Sequence, residues 1–584
     1  MKKIVKKIKQ ASKLEKTAFG LLLTVVLGFI IFGSYHLTKF ETIDEPLWKY
    51  DRIEKYYNGV REGLTEGRWK KTRPNDKPGV TVVLLSGLGL PFAPDPDTHQ
   101  NLKAQNQYKI VDSDGDRKNA YSIYHTDQTE KINLAFRLPL LLFNGLIMLP
   151  LIFWLLVKIF PLKSLIPQIS IVFIGLSPIL IGMTQIINPD SLLWSFFTAS
   201  LLAFFAFLET GERKFVIITG ILVGFSLLSK YTASLLYLFF PLIFLLYWLF
   251  DKENKLLQKF SLNLFKRKWK LNGKYVFAYT AIVLISWLVI CLFMPAVIQK
   301  PKHLLYATIY SPALQPIVDV FIDFFNLRSF LFTEKGDFMF PLAPFSLLIF
   351  VFLFIALPFG IIKFLNNKKD FLLKATVVFS RGLALTLLLL LLISLLNAWT
   401  DASFFPLKNI KEEALSGEKI NFGQLKQINN PIWKAILGLA IQTQNFFFAM
   451  HPLVLILAAF LWGGFGIGKF KIAKPIVYFL LFIPYVFILG GIMGGIFLNV
   501  RYGIVLYPLY GILAAVSFSL MAKKYKIIDK LSKLKPGFKL SWPLVFIGLF
   551  IFLHLISLFL IKPFYFNYEN FLLNKKFSVT DSWG

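Results

Sequence analysis

Runs of about 20 apolar residues recur along the whole chain, and they limit what it can fold into more than any other feature. A helix needs about that length to cross the hydrocarbon core of a bilayer. The runs fall at 17–39, 134–158, 165–187, 190–208, 214–230, 231–250, 275–298, 341–362, 375–397, 444–466, 475–498, 502–520 and 542–561. By length they predict an all-α polytopic membrane protein of about thirteen helices. The division between 214–230 and 231–250 is the least sharply marked. A transmembrane barrel would need segments of about ten residues alternating in polarity, and none occurs. Composition agrees, since 56% of the 584 residues are hydrophobic.

The formal net charge of +31 raises the question of nucleic acid. The basic residues are spread over short loops between apolar runs, where membrane orientation explains them, so nucleic acid is excluded as a partner. Placing residues 1–16 in the cytoplasm makes the loops alternate. Those that then fall inside, such as Lys252 to Lys274 and Lys523 to Lys539, are basic and poor in acid, as the positive-inside rule requires. The loops that fall outside (40–133, 299–340 and 398–443) mix the two signs, and residues 563–584 form an outer tail. Gly33-Ser34-Tyr35-His36 is no small-x-small cleavage site, so the first helix is read as uncleaved. The single Cys291 excludes an internal disulfide and a cysteine-based metal site.

The outer segment 40–133 is too long for a bare linker. Over 46–71, Leu47, Tyr50, Ile53, Tyr57, Val60 and Leu64 recur at helical spacing among charges, which predicts a helix along the membrane surface. Val80 to Leu90 is apolar but too short to span, and is read as a second interfacial or re-entrant helix. Beyond it the chain turns polar. Asp112-Ser113-Asp114-Gly115-Asp116 has the acidic alternation of a calcium loop without its glycine and closing glutamate, and is read as a solvated turn. No two histidines have the spacing of a helix-borne metal site.

Several ionisable residues converge on the same outer surface. Asp44-Glu45-Pro46 directly follows the first apolar run, and Asp76-Lys77-Pro78-Gly79 forms a turn thirty residues on. Arg137, Asp190 in the short Asn188-Pro189-Asp190 turn, Lys230 at a helix end, and Arg501-Tyr502 complete the set. One such group can be a helix cap or a snorkelling side chain. A set at one face suits chemistry on an anionic head group, because charges at the edge of hydrocarbon are costly unless paired or used.

In order and spacing these motifs resemble glycosyltransferase family 39, the lipid-sugar-dependent enzymes of the GT-C membrane fold, which include protein O-mannosyltransferases and aminoarabinose transferases of lipid A. The resemblance rests on Asp44-Glu45 after the first helix and Asp76-Lys77-Pro78-Gly79-Val80 followed by Ser86-Gly87-Leu88-Gly89. Asn188-Pro189-Asp190, Gly220 to Lys230, and Arg501-Tyr502 with Pro508 continue it. Many members carry His where this chain has Asp76-Lys77, which is nearer the aminoarabinose-transferase version and leaves the sugar open.

The resemblance implies an inverting transfer of sugar from a polyprenyl-phosphate donor to a hydroxyl of a lipid, glycan or protein acceptor. It implies Asp44 as general base, with Glu45 orienting it or the acceptor. Lys77, Arg137, Lys230 and Arg501 are expected at the donor phosphate, with Asp76, Asp190 and Tyr502 in support. A divalent metal ion at Asp76, with Asp44 or Asp190 nearby, stays open as an alternative, since hard oxygen ligands suit magnesium, calcium or manganese. Membrane lipids are the remaining partners, and a bacterial plasma membrane with the site outside is the expected location. The rival class is a transporter or flippase. Such proteins place ionisable groups near the bilayer midplane on broken helices, whereas here the middles of the apolar runs are nearly free of charge.

Overall fold

A computed structural model describes residues 12–39, 41–42, 44–74, 78–111, 117–121, 126–250, 273–300, 303–304, 308, 368–400, 449–462, 477–481, 483, 503–524, 542–562 and 565. The expected span 341–362, most of 475–498, and most of the outer loops 299–340 and 398–443 lie outside these residues. So does the Asp112–Asp116 turn.

The described chain is helical except for one hairpin. Helix α1 (Lys13–Ser34) opens on a reciprocal cap between Ser12 and Glu15, which satisfies two backbone N–H groups that have no partner within the helix. The expected surface helix over 46–71 is shorter and begins irregularly. A single turn (Glu45–Leu47) and a π-turn (Trp48–Arg52) lead into α2 (Ile53–Glu66), which ends at Gly67 in the left-handed region. Helix α3 (Val80–Ser86) passes into 3-10 turns over Gly87–Phe92, and α4 (Pro96–Asn106) is capped by Asp95. Strands β1 (Gln107–Val111) and β2 (Arg117–Tyr121) then pair antiparallel, Gln107 opposite Tyr121. This hairpin is a local addition among the described residues, which are otherwise helical as expected. It is five residues on each side, too short for the strand signal to stand out.

The bundle follows. It comprises α5 (Asp127–Phe143), α6 (Leu149–Ile159), α7 (Ile166–Gly175), α8 (Pro178–Thr184), α9 (Asp190–Thr210), α10 (Arg213–Ser229), α11 (Leu235–Phe250), α12 (Gly273–Phe293), α13 (Lys369–Thr400), α14 (Pro452–Trp462), α15 (Leu506–Lys524) and α16 (Trp542–Ile561). Helices α5 and α6 run on through a π-turn as one span, Asp127–Ile159. Helices α7 and α8 meet at Pro178 with a 54° bend. Six described helices are long and apolar enough to cross a membrane, or seven if the bent pair is one span. Helix α9 is the centre, its apolar window wholly buried and packed against α6, α10 and α15. Helix α1 sits at the edge, with Phe19, Leu23, Leu27 and Ile31 exposed on one stripe, the face that a lipid-exposed helix presents.

One end of the bundle gathers the C-terminus of α1, the N-termini of α5 and α9, the C-terminus of α10, and the helices of the 40–133 segment. Gly79 fixes the last of these in place. Its φ is +60°, its N–H donates to the Ser229 carbonyl at 3.1 Å, and the ring of buried Trp48 fills the space a β-carbon would need. Gly67 has a similar φ of +69° but open space around it. Gly79→Ala therefore meets both backbone strain and an immovable ring, and should cost about 2–4 kcal/mol. Gly67→Ala meets the strain alone and should cost about 1–2 kcal/mol. Thermal unfolding in detergent compares the two.

Candidate active site

The site is built on a peptide that cannot leave its polar groups unpaired. After α1 ends at Ser34, the chain runs along α5 to the Asp44-Glu45 pair, and α5 presents a polar stripe to it. Glu130, Asn133 and Arg137 recur at the three- and four-residue steps that put side chains on one helix face. Thr38 donates to the Glu130 carboxylate at 3.2 Å. Asn133 donates its amide to the Thr38 carbonyl and to Glu41, both at 2.9 Å. Arg137 donates to the Leu37 carbonyl at 2.6 Å.

The strongest of these ties is the Arg137–Glu45 pair. The guanidinium donates Nε and a terminal nitrogen to the two Glu45 oxygens at 2.9 and 2.8 Å, and the side chains are 1% and 0% exposed. The same carboxylate accepts the N–H of Thr42 at 2.7 Å and the N–H of Ile187 at 2.8 Å. Glu45 thus closes its own turn and holds the 185–190 segment between α8 and α9. From that segment Gln185 donates to the Gly33 and Tyr35 carbonyls at 3.1 and 3.0 Å, satisfying acceptors left open where α1 ends.

Asp44 is half-buried beside this core. Asn188 donates its amide N–H to Asp44 Oδ2 at 3.4 Å and accepts the Asp190 N–H at 3.0 Å. Lys230 donates to both Asp190 oxygens at 2.9 Å, buried at the end of α10. Next to it, the hydroxyls of Ser229 and Thr81 are 2.7 Å apart, so the turn that follows Lys77 docks on the same helix end.

The structure places Asp44, Glu45, Arg137, Asp190 and Lys230 at one end of the bundle, with Arg137 on Glu45 and Lys230 on Asp190. Arg137 and Lys230 were expected at the donor phosphate; the contacts described hold their cationic groups on Glu45 and Asp190. Glu45 faces Arg137 and two backbone N–H groups. Asp76, Lys77, Arg501 and Tyr502 lie outside the described residues. Among the described residues no group of three or more His, Cys, Asp or Glu is placed to hold a metal ion.

Sequence reasoning passed over a third buried pair. Lys49 and Glu41 form an ion pair with side chains 0% and 1% exposed, and Asn133 accepts from Lys49 at 3.1 Å. Burial pushes the Lys49 ammonium below its ordinary value, with Glu41 pulling it back. His99 donates Nε2–H to the Lys49 carbonyl at 3.1 Å and is likewise held low by burial. The spacing of Glu130, Asn133 and Arg137 ahead of an apolar run was the available signal for this polar stripe.

A family model described as dolichyl-phosphate-mannose-protein mannosyltransferase matches residues 130–266. That stretch contains Arg137, the 185–190 segment, Asp190 and Lys230, so the resemblance read from the motifs is shown across them. Two solved structures are similar to most of the chain. One is the archaeal oligosaccharyltransferase AglB from Archaeoglobus fulgidus in complex with an inhibitory peptide and a dolichol-phosphate, with 12% identity, a TM-score of 0.41, and coverage of 96% of this chain and 57% of that one. The other is the Archaeoglobus fulgidus oligosaccharyltransferase in the apo form, with 11% identity, a TM-score of 0.44, and coverage of 94% and 56%. This chain thus spans little more than half the length of either. No curated protein matches it.

Two outcomes follow from the geometry. Arg137→Leu strands a buried carboxylate and should cost about 3–5 kcal/mol. Adding Glu45→Leu should not restore the loss, because the N–H groups of Thr42 and Ile187 then lose their acceptor; thermal unfolding of the single and double variants checks this. His99 sets a pH response. The unfolded chain takes up a proton that the buried imidazole resists, so its contribution is fully present above pH 6.5 and falls away below it. His99→Gln should flatten the slope of melting temperature against pH on the acid side of neutrality.

Proposed function

We propose that the protein transfers a sugar from a polyprenyl-phosphate donor to an acceptor hydroxyl, with Asp44 as general base, at the extracytoplasmic face of the membrane. The observation that carries this reading is the placement of Asp44. It is the half-buried carboxylate beside a framework of wholly buried ion pairs, at one end of an apolar bundle. The family match over 130–266 supports the class of donor.

In the reaction, the acceptor oxygen forms a bond to the anomeric carbon while the bond from that carbon to the phosphate oxygen breaks. The acceptor proton passes to Asp44, and polyprenyl phosphate leaves. A single displacement of this kind inverts the anomeric centre. Charge grows on the departing phosphate, so cations there stabilise the transition state; Lys77 and Arg501 are assigned that task, with Tyr502 and Asp76 beside them. Arg137 and Lys230 act through their acid partners, Arg137 by fixing Glu45 and with it the peptide that bears Asp44, and Lys230 by fixing Asp190.

The test uses purified protein in nanodiscs with a panel of radiolabelled polyprenyl-phosphate sugars and membrane extract as acceptor. Asp44→Asn should reduce release of polyprenyl phosphate by at least about a hundredfold while donor binding persists. No release from any donor by the native protein, together with movement of lipid across vesicles, would replace this reading with transport.

A further inference from the structure

We propose that Asn188 is a positioning residue that holds the Asp44 side chain in register with the Asp190 backbone, so that the orientation of the base is tied to the start of α9, where the Lys230–Asp190 ion pair sits; the inference rests on the transfer reading of Asp44 given above. Asn188 is 2% exposed, and both ends of its amide are engaged. The NH2 group donates to Asp44 Oδ2 and the oxygen accepts the Asp190 N–H. Turning the amide over would set its oxygen against a carboxylate and its NH2 against an N–H, so the network permits one orientation. Its backbone is locked as well, with the N–H donating to Ile186 at 3.1 Å and the carbonyl accepting from Ser191 at 2.9 Å.

Successive residues of the turn thus grip successive residues of the acid pair. Ile187 takes Glu45 through its backbone N–H, and Asn188 takes Asp44 through its side chain. The two contacts do different things. Glu45 already fixes the peptide through Arg137, Thr42 and Ile187, so the Asn188 contact bears on the direction of the Asp44 carboxylate and little on the fold. On the other side, the Asp190 carboxylate carries Lys230 on both oxygens. A shift of that ion pair moves the start of α9, hence Asn188, hence the base. A Leu side chain at this position can neither donate to the Asp44 carboxylate nor accept from the Asp190 N–H.

Two variants and one exchange test it, read by steady-state release of polyprenyl phosphate from the radiolabelled donor and by thermal unfolding. In Asn188→Leu, kcat should fall about 10- to 100-fold, the scale of a misdirected catalytic group, with KM for the donor within about twofold. Asn188→Asp keeps the acceptor for the Asp190 N–H but sets a second carboxylate against Asp44, and should lose kcat and melting temperature together. The exchange Asp44→Asn with Asn188→Asp restores an amide–carboxylate pair with its polarity reversed. It should recover much of the melting temperature lost in Asn188→Asp while releasing no more product than Asp44→Asn alone. Additive melting shifts in this cycle, or an unchanged kcat in Asn188→Leu, would overturn the positioning role even if release still depends on Asp44. A non-additive cycle in a native protein that releases nothing from any donor would uphold the register between 44 and 188 and overturn the transfer reading instead.

Discussion

The site depends on one buried ion pair. Arg137 and Glu45 sit where an apolar helix meets a polar segment, both out of reach of water. Two charges in such a place are tolerable only if nearly every donor and acceptor is used. The pair meets that demand by recruiting backbone: the Leu37 carbonyl for Arg137, and the N–H groups of Thr42 and Ile187 for Glu45. Satisfying the charges therefore fixes the end of the α1 linker, the acid turn and the α8–α9 connection in one step. Asp44, adjacent to Glu45, inherits a defined position from this network.

The same logic repeats on either side. Along α5, Asn133 joins the Lys49–Glu41 pair to the Thr38 carbonyl, which ties the surface turn at Trp48–Arg52 to the linker. At the end of α10, Lys230 and Asp190 neutralise each other, and Ser229 anchors both Thr81 and Gly79. Three buried pairs thus lie at the same end of the bundle as one half-buried acid. A fixed polar framework of this kind would lower the reorganisation required of a reacting group placed within it, as proposed for Asp44.

Much of this architecture was legible in the sequence. The apolar runs located α1, α5–α6, α9, α10 and α12, because span length is set by the bilayer and not by neighbours. Asp44, Glu45, Arg137, Asp190 and Lys230 were legible as one group, since ionisable residues at helix ends are few. Their pairing was not. Arg137 and Glu45 stand 92 positions apart and Lys230 and Asp190 40 apart, and charge alone does not say whether a cation serves an acid of its own chain or a phosphate. Lys49 was missed because a lysine in a surface-helix pattern looks solvated; only the folded chain shows it turned inward against Glu41. The hairpin of Gln107–Val111 and Arg117–Tyr121 was hidden by its shortness, and Asn188 by its neighbour, since a proline-aspartate turn reads as a helix start until the amide's two partners are seen.

The most direct test of the account is a structure of the native protein with a polyprenyl-phosphate sugar bound, determined by cryo-electron microscopy. The anomeric carbon should lie within reach of an acceptor held by Asp44, the phosphate beside Lys77 and Arg501, and Glu45 should remain on Arg137. A head group bound near the bilayer midplane, or a Glu45 carboxylate that has left Arg137 to meet the sugar, would contradict it.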